Sequence, residues 1–115
     1  VRDPCQAREV LGIVGDKWAL LIVRMLKDGP RRFTELKRAI DGISQRMLTV
    51  TLRDLERDGI LTRTVRNVMP PHVSYELTTM GRTLREATAP LLAWSITHLP
   101  QIDAAREAYD ERSIT

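Results

Sequence analysis

The sequence predicts a mainly α single domain with a small β-hairpin wing, a winged helix-turn-helix whose N- and C-terminal helices are placed to dimerise. Three observations predict it. Residues 33 to 60 read as two amphipathic helices joined by a tight turn, the apolar period falls to two directly after Gly59, and a long helix-forming stretch follows from Thr79. The chain divides accordingly into N-terminal and core helices (6–27), the helix pair (33–60), a wing hairpin (61–78), a dimerisation helix (79–99) and a C-terminal tail (100–115).

At 115 residues the chain can bury roughly two thirds of its unfolded surface, so it needs no metal or disulfide to fold. Aromatics are only 4%, which leaves the core to Leu, Ile, Val and Ala and suits packed helices. One cysteine excludes an intramolecular disulfide framework and Cys-rich zinc sites. No apolar run reaches the length of a membrane span and no signal-peptide pattern is present, so a soluble, cytoplasmic protein with no membrane partner is expected. Because the chain begins at Val1 rather than Met, a few preceding residues are expected.

Taken in order, Gln6 to Val14 predict a short helix with Val10, Leu11 and Val14 on one side, closed by Gly15. Asp16 caps the next helix, where Trp18, Leu21, Ile22, Met25 and Leu26 form an apolar stripe that marks the central core helix. Gly29-Pro30 stops it, since Pro cannot continue a helix. Arg31-Arg32-Phe33 is an extended link that suits a sheet edge. Thr34 is the expected N-cap of a helix to Ile40, with Leu36 and Ile40 inward and Lys37 and Arg38 toward water. Asp41-Gly42 breaks that helix. Ser44 caps the second of the pair, and Ile43 with Leu48 makes a hydrophobic staple. Leu48, Leu52 and Leu55 form its apolar seam, and Gly59 ends it.

Beyond Gly59, Leu61, Arg63 and Val65 alternate with Thr62, Thr64 and Arg66, and Val73, Tyr75 and Leu77 alternate with Ser74 and Glu76. These two runs predict a hairpin whose loop, Asn67 to His72, has Pro70-Pro71 at the tip because proline donates no ladder hydrogen bond. Thr78 caps a long helix carrying Leu84, Ala87, Leu91, Trp94 and Ile96. Pro90 is expected to kink it and Pro100 to interrupt it, leaving a weaker, mostly polar helix from Ile102 to Arg112. The long helix is more apolar than so small a core requires, which predicts a homodimer with its two recognition helices one DNA turn, about 34 Å, apart. The competing reading is that this helix merely closes the monomer core.

The net charge is +3, but residues 17 to 67 carry +6 and residues 81 to 115 carry −1. Positive potential is thus concentrated around the helix pair, as phosphate recognition requires. The outer face of the second helix holds Gln45, Arg46, Thr49, Val50 and Arg53. An isolated amphipathic helix with such a face is most simply a solvated one. Here the residues lie early in the second helix of a tight pair, where Arg and Gln can bond base edges in the major groove.

In order and spacing, a set of residues resembles the HxlR family of bacterial winged helix-turn-helix regulators. These are Gly15-Asp16-Lys17-Trp18, Gly29-Pro30 with Arg32-Phe33, Glu35-Leu36, Gly42-Ile43-Ser44, Met47-Leu48, Leu52-Arg53, Leu55-Glu56, Asp58-Gly59, Pro70-Pro71, Tyr75 with Leu77-Thr78, and Gly81. The resemblance spans about Cys5 to Trp94. It implies a homodimeric transcription factor, often a repressor, paired through its terminal helices, with the helix from Ser44 in the major groove and the wing on the backbone or minor groove. Two departures are visible. Asp16 stands for a second Gly, which improves a cap, and His72 stands for an Arg that commonly follows Pro-Pro, which weakens a wing contact to phosphate.

Gln45, Arg46 and Thr49 are the candidate base readers, and Arg53 either reads a base or holds a phosphate. The backbone candidates are Arg32, Thr34, Lys37, Arg38, Arg66, Asn67 and His72. For Lys37 and Arg38 a merely solvated charge explains the sequence nearly as well. Cys5 admits two readings: an inert small hydrophobe, or a thiol near a helix N-terminus whose lowered pKa makes it a redox sensor. Several members of the family it resembles carry a sensing cysteine in that neighbourhood, so an oxidant or small-molecule effector is an expected partner. His72 and His98 have no metal-ligand spacing, and neither a catalytic set nor a phosphate-cradling loop is present, so no enzyme, metal or cofactor is expected. The alternative function is a winged-helix protein-interaction module, against which the Gln and Arg residues on the exposed helix face argue.

Overall fold

The computed structural model describes residues 7–114, and Cys5 lies outside the described residues. Its elements are α1 (Arg8–Gly15), α2 (Lys17–Met25), β1 (Arg31–Arg32), α3 (Phe33–Ala39), α4 (Gln45–Arg57), β2 (Leu61–Arg66), β3 (His72–Leu77) and α5 (Thr79–Ile114). The strands form one antiparallel sheet in the order β1-β3-β2. This is the mainly α, winged helix-turn-helix architecture that the sequence predicts.

The core is aliphatic, as the scarcity of aromatics requires. Ala19, Ile22, Val23 and Leu26 of α2 meet Leu36 and Ile40, the α4 seam of Leu48, Leu52 and Leu55, and Ile60, Leu61, Tyr75 and Leu77 from the sheet side. Ile22 and Leu48 have no exposed surface. Truncating either to Ala removes transfer energy and leaves a cavity, at a cost of about 2–5 kcal/mol. Asp16 holds the start of α2 in place, its Oδ1 accepting from the Trp18 and Ala19 amides at 2.9 and 3.1 Å.

The helix pair departs from expectation at one end. The N-cap of α3 is Arg32, not Thr34, and Thr34 lies inside the helix. An arginine side chain cannot accept a hydrogen bond, so Glu35 supplies the missing closure, its Oε1 accepting from the Arg32 amide at 3.1 Å. The α4 boundaries are as predicted. Ser44 Oγ accepts from Met47 N at 3.0 Å, and Ile43 and Leu48 are both buried at this end. At the other end Gly59 takes φ +77°, while Gly59 N bonds Glu56 O at 3.1 Å and Ile60 N bonds Leu55 O at 2.9 Å. That pair of bonds is a Schellman motif, and the buried Leu55 and Ile60 supply its apolar pairing.

In the wing, Leu61 faces Leu77, Arg63 faces Tyr75, Val65 faces Val73 and Arg66 faces His72. His72 therefore belongs to the ladder rather than to the loop: with both prolines behind it, its amide is the first one free to join β3. β1 pairs with the other edge of β3, Arg31 opposite Tyr75 and Arg32 opposite Ser74.

The C-terminal part is one helix. α5 runs 36 residues through both Pro90 and Pro100, where the sequence predicts an interruption and a second, weaker helix. Each proline removes its own amide and crowds the carbonyl four residues before it, and Glu86 and Ile96, which carry those carbonyls, are exposed. Water can serve those carbonyls, so propagation on either side continues. Leu91, Trp94, Ile96 and Leu99 stand on this helix as large exposed apolar side chains.

Candidate nucleic-acid interface

The α4 seam points its Leu residues into the core, which leaves Arg46, Val50, Arg53 and Arg57 as a stripe on the far side and Gln45, Thr49 and Glu56 along one edge. That edge borders the wing. Gln45 and Thr49 form one wall of a groove of about 580 Å³, with Arg32, Phe33 and Thr34 at its base and Arg63, Pro70, Pro71, His72, Val73 and Tyr75 opposite. A second groove of about 330 Å³ continues along α4 between Thr49, Arg53 and Glu56 on the helix and Arg63 and Tyr75 on the strands.

The structure thus brings Gln45, Thr49, Arg32, Thr34 and His72 together around one groove and puts Arg53 on its continuation. Arg46 projects outward from the middle of the exposed α4 face. Lys37 and Arg38 lie one turn beyond Thr34 on α3, exposed and outside the groove. Arg66 is on the opposite face of the sheet from Arg63, and Asn67 is exposed at the start of the wing loop, so neither lines the groove.

Thr49 presents a particular chemistry. Its hydroxyl donates to Gln45 O at 2.8 Å, which leaves the oxygen's free lone pair and the methyl group for a ligand. It can accept from an exocyclic base amine or pack on a thymine methyl, but it cannot donate outward without breaking the bond to Gln45. Among the described residues the side chains of Arg46, Arg53, Arg63 and Arg66 have no hydrogen bond or ion pair. Their donors are therefore free. The Arg32 amide, then Arg31, hold the Glu35 carboxyl below its usual value of about 4.5.

Arg63 is a member of this site that sequence reasoning missed. It lines both grooves. The signal available was its phase, since a cation in step with Leu61 and Val65 lies on the strand face turned toward the helix pair. Glu56, the acidic group in the second groove, was missed as well.

A tight helix pair followed by a β-hairpin that extends a three-stranded antiparallel sheet is the architecture of the winged helix-turn-helix transcriptional regulators. The sequence model of the HxlR-like helix-turn-helix family matches residues 13–103, and the chain belongs to that family. It is 42% identical over 111 residues to the HTH-type transcriptional regulator YtfH of Escherichia coli, covering 96% of this chain and 86% of that one. Among solved structures it is similar to the transcriptional regulator YtfH from Salmonella typhimurium, with a TM-score of 0.81 and 44% identity over 88% of this chain and 90% of that one. It is also similar to the oxidised form of the redox regulator HypR, with a TM-score of 0.75 and 40% identity over 81% and 96% of the two chains. The reduced form of the transcriptional regulator YodB from B. subtilis aligns with a TM-score of 0.71 and 35% identity over 83% and 92%. The chain is accordingly a helix-turn-helix transcriptional regulator. Among the described residues no helix is long and apolar enough to cross a membrane.

Proposed function

We propose that this regulator is a homodimeric, sequence-specific DNA-binding repressor, with α4 in the major groove and the wing on the adjacent backbone. The observation that carries the reading is the unpaired set Arg46, Arg53 and Arg63 around the α4 face and its groove. Gln45, Arg46 and Thr49 read bases. Arg32, Thr34, Arg63 and His72 hold the phosphate strand that runs between α4 and the wing, and Arg53 is placed for either task. Lys37, Arg38, Arg66 and Asn67 act at longer range on neighbouring phosphates. The exposed Leu91, Trp94, Ile96 and Leu99 of α5 support pairing of two copies through this helix, because a free apolar surface of that kind is ordinarily covered.

The test is fluorescence anisotropy of the reduced protein on DNA flanking its own gene and on random DNA, at two salt concentrations. The expected result is preference for the flanking DNA, with affinity falling steeply in salt at a log–log slope of about −0.9 for each phosphate neutralised. Weak, salt-insensitive binding without preference would overturn the reading.

Regulation by oxidation through Cys5 is the second part of the reading. Its support is the similarity to HypR, a redox regulator, and to YodB, also known in a diamide-treated form. Diamide is expected to change operator affinity of the wild-type protein and to leave Cys5→Ser unaffected. A Cys5→Ser variant that still responds would remove the assignment.

A further inference from the structure

We infer that the cleft between α2 and α5 is a binding site for a small amphipathic monoanion, a carboxylate on a single ring or a compact branched chain. Leu20, Val23, Arg24 and Lys27 come from the α2 side and Arg85, Thr88, Ala89 and Leu92 from α5. Each set has the spacing i, i+3, i+4, i+7, so two helix faces look at one another. They do not close. Thr88 and Ala89 are short at the point of approach, and about 160 Å³ is left between the helices. An apolar cavity of about 150 Å³ is known to take benzene, so this volume suits one ring.

The chemistry of the lining selects the charge. Leu20, Val23, Ala89 and Leu92 supply an apolar bed. Thr88 Oγ1 donates to Leu84 O at 2.8 Å, so its proton is committed to the backbone. The remaining polar groups are Arg24, Lys27 and Arg85, all donors. Among the described residues no carboxylate lines the cleft, and none of the three cations has an ion pair. Arg24 lies in the last turn of α2, where the helix dipole alone would favour a cation. That does not account for Arg85, half-buried on the facing helix. An anion with an apolar body satisfies both halves of the cleft at once, its carboxylate among the three cations and its body on the aliphatic bed.

The cleft is also connected to α4. α2 packs against both α5 and α4, so an occupant that fixes α2 against α5 also bears on α4. This consequence rests on the DNA-binding reading, whereas the site itself does not.

The test is an amide-shift NMR titration of the DNA-free full chain with sodium benzoate and phenylacetate, and with benzamide as the neutral isostere, each to about 5 mM. Benzoate or phenylacetate is expected to shift amides in residues 20–27 and 85–92, with benzamide much weaker. Arg85→Gln is expected to raise the Kd about tenfold. Ala89→Leu, at an exposed helical position, fills the cleft and is expected to abolish the shifts while the helical circular dichroism is retained. No shift with either carboxylate, equal binding of benzamide, or undiminished binding to Ala89→Leu would overturn the site. Benzoate-saturated protein is then expected to show an altered operator Kd, by the same factor that operator DNA alters benzoate affinity. An unchanged operator Kd at saturation would overturn the coupling alone.

Discussion

The hydroxyl of Thr78 lies 2.6 Å from the carbonyl oxygen of Gly59. It donates to that carbonyl, where the recognition helix has just ended, and accepts from Gly81 N at 3.0 Å, where α5 begins. One side chain thus joins the two helices end to start. Thr78→Val keeps the shape and removes these bonds, together with the hydroxyl's longer contact to Ile60 O at 3.1 Å. A loss of about 1–2 kcal/mol is expected by urea denaturation, and an unchanged midpoint would mean that the tie contributes nothing.

Close approach at the same corner makes a second prediction. A Cβ at Gly81 would collide with the Ile60 carbonyl oxygen, a backbone atom that cannot rotate away. Gly81→Ala should therefore destabilise by about 1–3 kcal/mol, even though Ala is the better helix former. Thermal unfolding measures this directly, and a stabilised variant would contradict the packing described.

The proposed DNA contacts separate the arginines by role. Arg46→Ala should cost about 1–3 kcal/mol on the operator and relax specificity, whereas Lys37→Ala should weaken operator and random DNA alike. Arg63→Ala, if it holds phosphate from the groove, should lower the salt slope by about one unit on both DNAs. Equal losses for Arg46→Ala on operator and random DNA would sink its base-reading role.

Glu35 links stability to acid. Its folded-state carboxyl is held low, chiefly by the Arg32 amide and then by Arg31, so its contribution is complete above its unfolded pKa and fades as pH falls through the lower folded value. The group is exposed and the Arg31–Glu35 pair is 3.5 Å long at the surface, so the effect is small. Glu35→Gln should lower the Tm slightly at neutral pH, and the difference from wild type should disappear in acid. A difference that grows on acidification would reverse the assignment.

Pairing through α5 predicts a concentration-dependent species. Trp94, which stacks on His98 at 4.5 Å between ring centroids, is about half exposed in a single chain at 53%. Trp94→Ala should shift the sedimentation equilibrium toward monomer and weaken operator binding with it. A wild-type monomer at micromolar concentration would remove the dimer from the proposal.

Much of this was legible in the residues because it is local. Ser44, Asp16 and Thr78 cap helices, Gly59 ends one, and alternation after Leu61 marks the wing. The errors arose where distant parts decide. Thr34 has the right side chain for a cap, but β1 pairing holds Arg32 extended and starts the helix one residue before Thr34, leaving Glu35 to close it. Pro100 reads as a stop only if its freed carbonyl must be buried, and on this exposed helix it is not. The phase of Arg63 with Leu61 gives its face of the strand, and the sheet's orientation against α4 shows that this face lines the groove. Lys37 and Arg38 are exposed and line neither groove, so the fold adds nothing to what their charge alone says.

The strand order β1-β3-β2 leaves the six-residue β2 at the rim of the sheet, and a rim of unpaired amides and carbonyls can template the strand of another molecule. Arg63 and Arg66 stand along that rim, and Pro70-Pro71 follows at the hairpin's tip. Charged side chains on an edge strand disfavour such pairing, so the cations proposed to meet phosphate also suit a guard against fibrous self-association. Neutralising Arg63 and Arg66 is therefore expected to lower solubility as well as any DNA affinity, most visibly in the DNA-free protein.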